Sequence, residues 1–162
     1  MTVVVAAASR HGATAEIAST VGAVLQDRGV PAVVVPIEEV ETLDGYDAVV
    51  LGSAVYMGRW LEPARRFAAE HATELAARPT WLFSSGPVGE PAKPPAEDAV
   101  DVSEIERATR ARGHRVFPGR IDRSSLGLAE RAVVGALRVP DGDYRDWDAV
   151  AAFAQEVADA VG

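Results

Sequence analysis

"SRHGATAEIA", residues Ser9 to Ala18, follows the apolar run "TVVVAAA" (Thr2–Ala8) and opens a helical pattern. A hydroxyl, two basic residues and a glycine thus separate a buried strand from a helix. The N-terminus of a helix presents unpaired N–H groups and a partial positive charge, so a loop of this composition in front of one points to an anion.

The alternation continues along the chain. "TVVVAAA" reads as a strand buried on both faces, because nothing polar interrupts it. Ile17, Val21 and Leu25 recur at helical spacing between Ala13 and Arg28, and Gly29 stops that helix. "AVVVP" (Ala32–Pro36) is a second strand and "YDAVVLGSA" (Tyr46–Ala54) a third. Trp60 to Ala77 is expected as one helix, with Pro63 in its first turn and Ala64, Phe67, Ala68 and Leu75 facing inward. "PTWLFSSG" (Pro79–Gly86) is a fourth strand, and "PVGEPAKPPAED" after it is loop. A helix from Val102 to Arg112 ends at Gly113, and "HRVFPGRI" (His114–Ile121) is a fifth strand, bent or at an edge because of Pro118. Trp147, Val150, Phe153, Ala154, Val157 and Val161 line one face of a terminal helix.

Strands alternating with helices mean parallel crossovers and an α/β fold. Residues 1–162 fit one domain without internal repeats. Five strands in this length suit a doubly wound parallel sheet of order 2-1-3-4-5 with helices on both faces. Ligands of such sheets sit beyond the carboxyl ends of strands 1, 3 and 4.

Composition narrows the function classes. Hydrophobic residues make up 48% of the chain, which sets it apart from disordered sequences. The absence of cysteine excludes disulfides, thiolate metal sites and cysteine nucleophiles. A formal net charge of −8 argues against binding nucleic acid by phosphate neutralisation. The first apolar run is too short to span a membrane and lacks the features of a signal peptide, so a cytoplasmic protein is expected. No metal-ligand cluster and no Ser/His/Asp arrangement stands out.

Three segments fall at the carboxyl ends of the strands. In the first, Ser9 and Thr14 offer hydroxyls, and Gly12 lets the backbone approach an oxyanion. It lacks the glycine-lysine ending of a Walker loop and two of the three glycines of a dinucleotide fingerprint, so a phosphate monoester suits it better. The second, "GSAVYMGRW", sets Tyr56, Met57 and Trp60 around Gly58 and can cover a flat conjugated ring. The third, "SSGPVG", offers hydroxyls and backbone N–H groups for the polar edge of that ring. Phosphate, flat ring and polar edge together outline flavin mononucleotide, FMN.

"SRHGATAEIA", "YDAVVLGSAVYMGRW", "EHATEL" and "YRDWDAVAAFAQEVA", in this order, resemble the flavodoxin-like family that includes the menaquinone-dependent protoporphyrinogen dehydrogenases. The resemblance implies a flavodoxin fold holding FMN non-covalently. Ser9, Arg10, His11, Gly12, Ala13 and Thr14 would wrap the phosphate. Ser53, Ala54, Val55, Tyr56, Met57 and Gly58, with Ser84, Ser85, Gly86, Pro87 and Val88, would flank the ring. Arg10 and His11 stand where ordinary flavodoxins have hydroxyl residues, and Met57 where the protoporphyrinogen enzymes have an aromatic. The side chain that stacks on the ring is therefore left open.

"SSLGLAERAVVGALRVPDGDYRD", Ser124 to Asp146, is an insert before the last helix, longer than a simple connection. A helix over Leu126–Leu137 with apolar residues on several faces is expected there. It would form one wall of a substrate approach or a homodimer contact rather than a membrane anchor, since its charge is mixed.

Each of these features has a plainer reading. Ser9 or Thr14 serves as an ordinary N-cap in many helices. Trp60 falls in register with Ala64 and Phe67 and is expected to pack on the helix, which leaves Tyr56 as the better ring contact. His71 is expected to be structural, and His114 needs no function. The three loops together favour an FMN-dependent oxidoreductase in which the flavin N5 carries the chemistry and no side chain acts as acid or base. Its expected substrate is a quinone, a tetrapyrrole or another small oxidisable molecule. The alternatives are an acidic flavodoxin-type electron carrier docking with a redox partner, and an interaction domain without a cofactor.

Overall fold

The computed structural model describes residues 2–10, 12–56, 58–86, 102–118, 120–121, 142–143 and 145–161. In chain order the elements are β1 (Val3–Ala8), α1 (Ala13–Asp27), β2 (Ala32–Pro36), a 3-10 turn (Ile37–Glu39), β3 (Ala48–Tyr56) and β4 (Arg59–Trp60). There follow α2 (Glu62–Glu70), α3 (Ala72–Ala76), β5 (Thr80–Ser85), α4 (Ser103–Thr109), β6 (His114–Phe117), β7 (Arg120–Ile121), β8 (Gly142–Asp143) and α5 (Trp147–Val161).

The main sheet runs β2-β1-β3-β5-β6, with every neighbouring pair parallel. Counting only the long strands, this is the expected order 2-1-3-4-5. The short β4 adds a sixth strand, paired antiparallel to the end of β3.

Side-chain alternation along the strands builds a core on each face. Val3, Val5 and Ala7 of β1, with Val50 and Phe83, pack against Ile17, Val21 and Leu25 of α1 and Phe153, Ala154 and Val157 of α5. Val4, Ala6 and Ala8, with Leu51 and Leu82, pack against Trp60, Ala64, Phe67 and Leu75 on the other face. β1 and β5 are buried throughout and β3 from Ala48 to Ser53, as strands covered on both faces must be. Edge strand β2 instead leaves Val33 and Val34 exposed.

Several element boundaries correct the sequence expectations. β3 begins at Ala48 rather than Tyr46 and continues past Ala54 to Tyr56. The chain then folds back through Gly58, whose φ of 76° suits a tight hairpin, and Trp60 pairs with Val55. Trp60 is therefore a strand residue. The single helix expected up to Ala77 is two, α2 and α3, parted at His71 (φ −110°). The helical phase survives the break, since Leu75 is buried in the same cluster as Phe67 and Ala68.

α4 stops at Thr109, three residues before the expected Arg112, because Arg110 turns left-handed (φ 52°) and the Ala111 N–H closes on the Glu106 carbonyl at 3.2 Å. The expected fifth strand is divided: β6 ends at Phe117, ahead of Pro118, and β7 pairs with β8 in a separate two-stranded sheet. β6 is an edge strand, as Pro118 suggested. The helix expected over Leu126–Leu137 lies outside the described residues. Among them, no helix is long and apolar enough to cross a membrane.

Candidate functional site

Strand register sets the site. Ala8 stands beside Ser53, Ser53 beside Ser84, and Ala54 beside Ser85. The three carboxyl-end segments therefore leave the sheet at one level, side by side. This is the edge at which open parallel sheets bind ligands.

The first segment is an uncapped helix start. The N-cap position of α1 is Gly12, left-handed at φ 88°, and no side chain caps the helix. The Ser9 hydroxyl instead accepts the N–H of Gly12 at 3.0 Å, which closes the loop upon itself. Thr14 is buried within the first turn. The ordinary N-cap reading of Ser9 or Thr14 is thus not what the structure contains. Among the described residues, and leaving aside its chain neighbours, no atom lies within 4 Å of where a Cβ at Gly12 would stand. Such a turn, with free N–H groups and the positive end of the helix dipole, fits an anion.

The second segment reaches the first through Arg10, whose guanidinium carbon lies 5.3 Å from the centroid of the Tyr56 ring. Tyr56 is half-buried at the end of β3, and Arg59 is its partner across the hairpin. One arginine therefore lies against the aromatic ring, and a second stands opposite it in the paired strand. Ala54, Val55 and Gly58 are likewise half-buried. Ser53 faces inward: its hydroxyl donates to the Ala54 carbonyl at 2.7 Å and accepts the Leu61 N–H at 3.1 Å. It fixes the entry to α2 and leaves only backbone for a ligand.

The third segment is joined to the second from beneath. Trp60 Nε1 donates to Ser84 Oγ at 2.7 Å, and the same oxygen is 2.7 Å from His114 Nε2. Ser84 is fully buried, so its hydroxyl is turned into the core rather than toward a ring edge. Ser85 is also buried, and the Gly86 N–H is taken by the Phe117 carbonyl at 2.8 Å. The hydroxyl of Ser84 and the N–H of Gly86, expected to be available, are thus committed to the fold. His114 belongs to this buried network, a place the sequence reading did not assign to it. The period-two alternation that buries Leu82 puts Ser84 on the same face, and that signal was present in the sequence.

His11, Met57, Pro87 and Val88 lie outside the described residues. His71 is away from these loops, its ring 4.4 Å from that of Phe67. Among the described residues, no group of three His, Asp or Glu side chains is placed to hold a metal.

Sequence reasoning also missed Arg145, which reaches α1 from just ahead of α5. Its guanidinium pairs with Glu16 and lies 4.6 Å from the centroid of the Trp147 ring.

A family model described as a flavodoxin domain matches residues 4–148. A curated relative, protoporphyrinogen IX dehydrogenase [quinone] of Escherichia coli strain K12, is 26% identical over 93% of this chain and 91% of its own. Among solved structures, oxidised flavodoxin 1 from Bacillus cereus superposes with a TM-score of 0.66 at 17% identity, covering 100% of both chains. Rubredoxin oxygen:oxidoreductase from Desulfovibrio gigas gives a TM-score of 0.65 at 12% identity; 98% of this chain corresponds to 35% of that one.

Proposed function

Because this chain belongs to the flavodoxin domain family, we propose that it binds FMN at the carboxyl edge of its sheet and acts as an oxidoreductase on a small oxidisable molecule. The observation that carries the reading is the uncapped, glycine-opened start of α1, level with the ends of β3 and β5. Ser9, Arg10, His11, Gly12, Ala13 and Thr14 would hold the phosphate. The backbone from Ser53 to Gly58 and from Ser84 to Val88 would flank the ring. Arg10 over Tyr56 brings the phosphate loop and the ring loop into contact, so one ligand spanning both is consistent with the geometry.

Bound FMN supplies electron and hydride transfer at its N5. The protein's part is to bind, orient and set the electrostatics of the ring, and no side chain is assigned as acid or base. Arg10 and Arg59 at the mouth favour a negatively charged reduced ring. The relative named for protoporphyrinogen IX and quinone, matched along nearly its whole length, makes a quinone or a porphyrinogen the first substrates to test. The second reading, an electron carrier with a redox partner, is favoured by the net charge of −8. We place the protein in the cytoplasm on either reading.

The test is direct. Purified protein should carry flavin absorbance, or take up FMN when reconstituted. Reduced protein should then be reoxidised by quinones in the enzyme reading, and only by ferredoxin-type proteins in the carrier reading. Failure to bind any flavin would refute both.

A further inference from the structure

Arg145 is 132 positions from Ala13 in the chain, yet its side chain folds against the first turn of α1. Nη1 donates to the Ala13 carbonyl at 3.5 Å and pairs with the Glu16 carboxylate in the same turn. The Arg145 side chain is 5% exposed and that of Glu16 is 51% exposed. Trp147 covers the guanidinium at 4.6 Å.

On stability alone this is a poor place for a cation. The start of a helix carries positive partial charge and disfavours another. Burying a guanidinium adds a desolvation cost. Of its partners, the Glu16 carboxylate is half in water, so screening weakens that contribution. The fold nevertheless holds a charge on the flank of the helical turn proposed to receive an anion.

We infer that Arg145 is a positioning residue for a phosphate group, adding its charge to the free N–H groups of α1 so that the site prefers a phosphate monoester to the corresponding alcohol. This rests on the reading of Ser9–Thr14 as the phosphate cradle. Arg145 acts through α1: it braces the first turn and adds positive potential at its open end, where Glu16 tempers it. The rival role is a lock between α1 and α5, such as Arg28 and Asp159 provide elsewhere between these helices. A lock would hold the fold without distinguishing ligands by charge.

The two roles separate in a titration of the apoprotein with FMN and with riboflavin, read by quenching of flavin fluorescence. In Arg145→Gln, FMN affinity should fall about tenfold and riboflavin affinity less than about twofold, as loss of one partly buried charge near a dianion requires. Arg145→Lys should retain most of the preference for FMN. Glu16→Gln, an exposed change, should raise the ratio of FMN to riboflavin affinity. Equal losses for both ligands in Arg145→Gln would overturn the inference, as would a lysine variant no better than the glutamine one. Should Arg145→Gln fail to fold, an unchanged ratio in Glu16→Gln would overturn it as well. A parent protein with no preference for FMN would refute the phosphate cradle itself. A parent that prefers FMN, with a ratio insensitive to Arg145 and Glu16, would refute only the inference.

Discussion

Trp60 gives its indole N–H to the hydroxyl of Ser84, 24 positions away, at 2.7 Å in the core. The bond joins the hairpin after β3 to the end of β5, beneath the two loops proposed to flank a flavin. Ser84→Ala would leave the indole N–H without that acceptor and remove the hydroxyl from His114 Nε2. An unsatisfied buried donor costs about 1–3 kcal/mol, and urea denaturation should show a loss of that size. A change near zero would mean that water replaces the hydroxyl.

Two glycines should respond to alanine for different reasons. A Cβ at Gly52 would lie 2.1 Å from Cζ of Phe83, a fully buried ring that packs with Phe117 and Phe153. Gly52→Ala should therefore destabilise the fold by about 1–3 kcal/mol or more. At Gly12 a Cβ meets nothing, and only the left-handed backbone resists it, for about 1–2 kcal/mol. Gly12→Ala should in addition weaken FMN binding, which Gly52→Ala should not do in the folded protein, and the contrast is read by comparing thermal melts with flavin titrations.

Thr14→Ala should lower FMN affinity by about 1.5–3 kcal/mol, the range for a hydrogen bond to a charged group. Riboflavin should bind the parent protein far more weakly than FMN. Equal affinities for the two would show that Ser9–Thr14 does not hold a phosphate.

Arg10 lies over Tyr56 and Arg59 is paired with Tyr56 across the hairpin, so both belong to the loops proposed to hold the flavin. Reversing either charge, in Arg10→Glu or Arg59→Glu, should lower the midpoint potential of the bound flavin, because the reduced ring loses a favourable partner. Spectroelectrochemical titration measures this. Unchanged potentials in both variants would remove the two arginines from the ring's surroundings.

The pairing of Arg120 with Asp143 and of Ile121 with Gly142 ties the last part of the insert to the chain just ahead of it. Replacing Val133, Val134 and Leu137 with Ser should spare FMN binding and change either the oligomeric mass or the reactivity with quinones. Unfolding would instead make those residues ordinary core.

Local signals carried most of the fold. Val3 to Ala8 had nothing polar to turn toward water, and the strand is buried throughout. Gly29 adopts the left-handed φ of 79° that its place after α1 foretold, and the Val30 N–H closes on Leu25 at 2.9 Å. Loop composition made the start of α1 a candidate for an anion, while the Ser84 hydroxyl, expected at a ring edge, lies in the core on the face that it shares with Leu82.

Tertiary structure decided what neighbouring residues could not encode. Trp60 matches the helical phase of Ala64 and Phe67, yet pairing with Val55 made it a strand, because cross-strand hydrogen bonds outweigh local preference. Ser84 and His114 meet only because β5 and β6 lie side by side in a fixed register. Arg145 comes to the first turn of α1 across 129 positions to Glu16, a distance over which no periodicity speaks. Sequence periodicity reports which face of an element is buried; which polar groups meet across elements follows from register and packing, and these exist only in the folded chain.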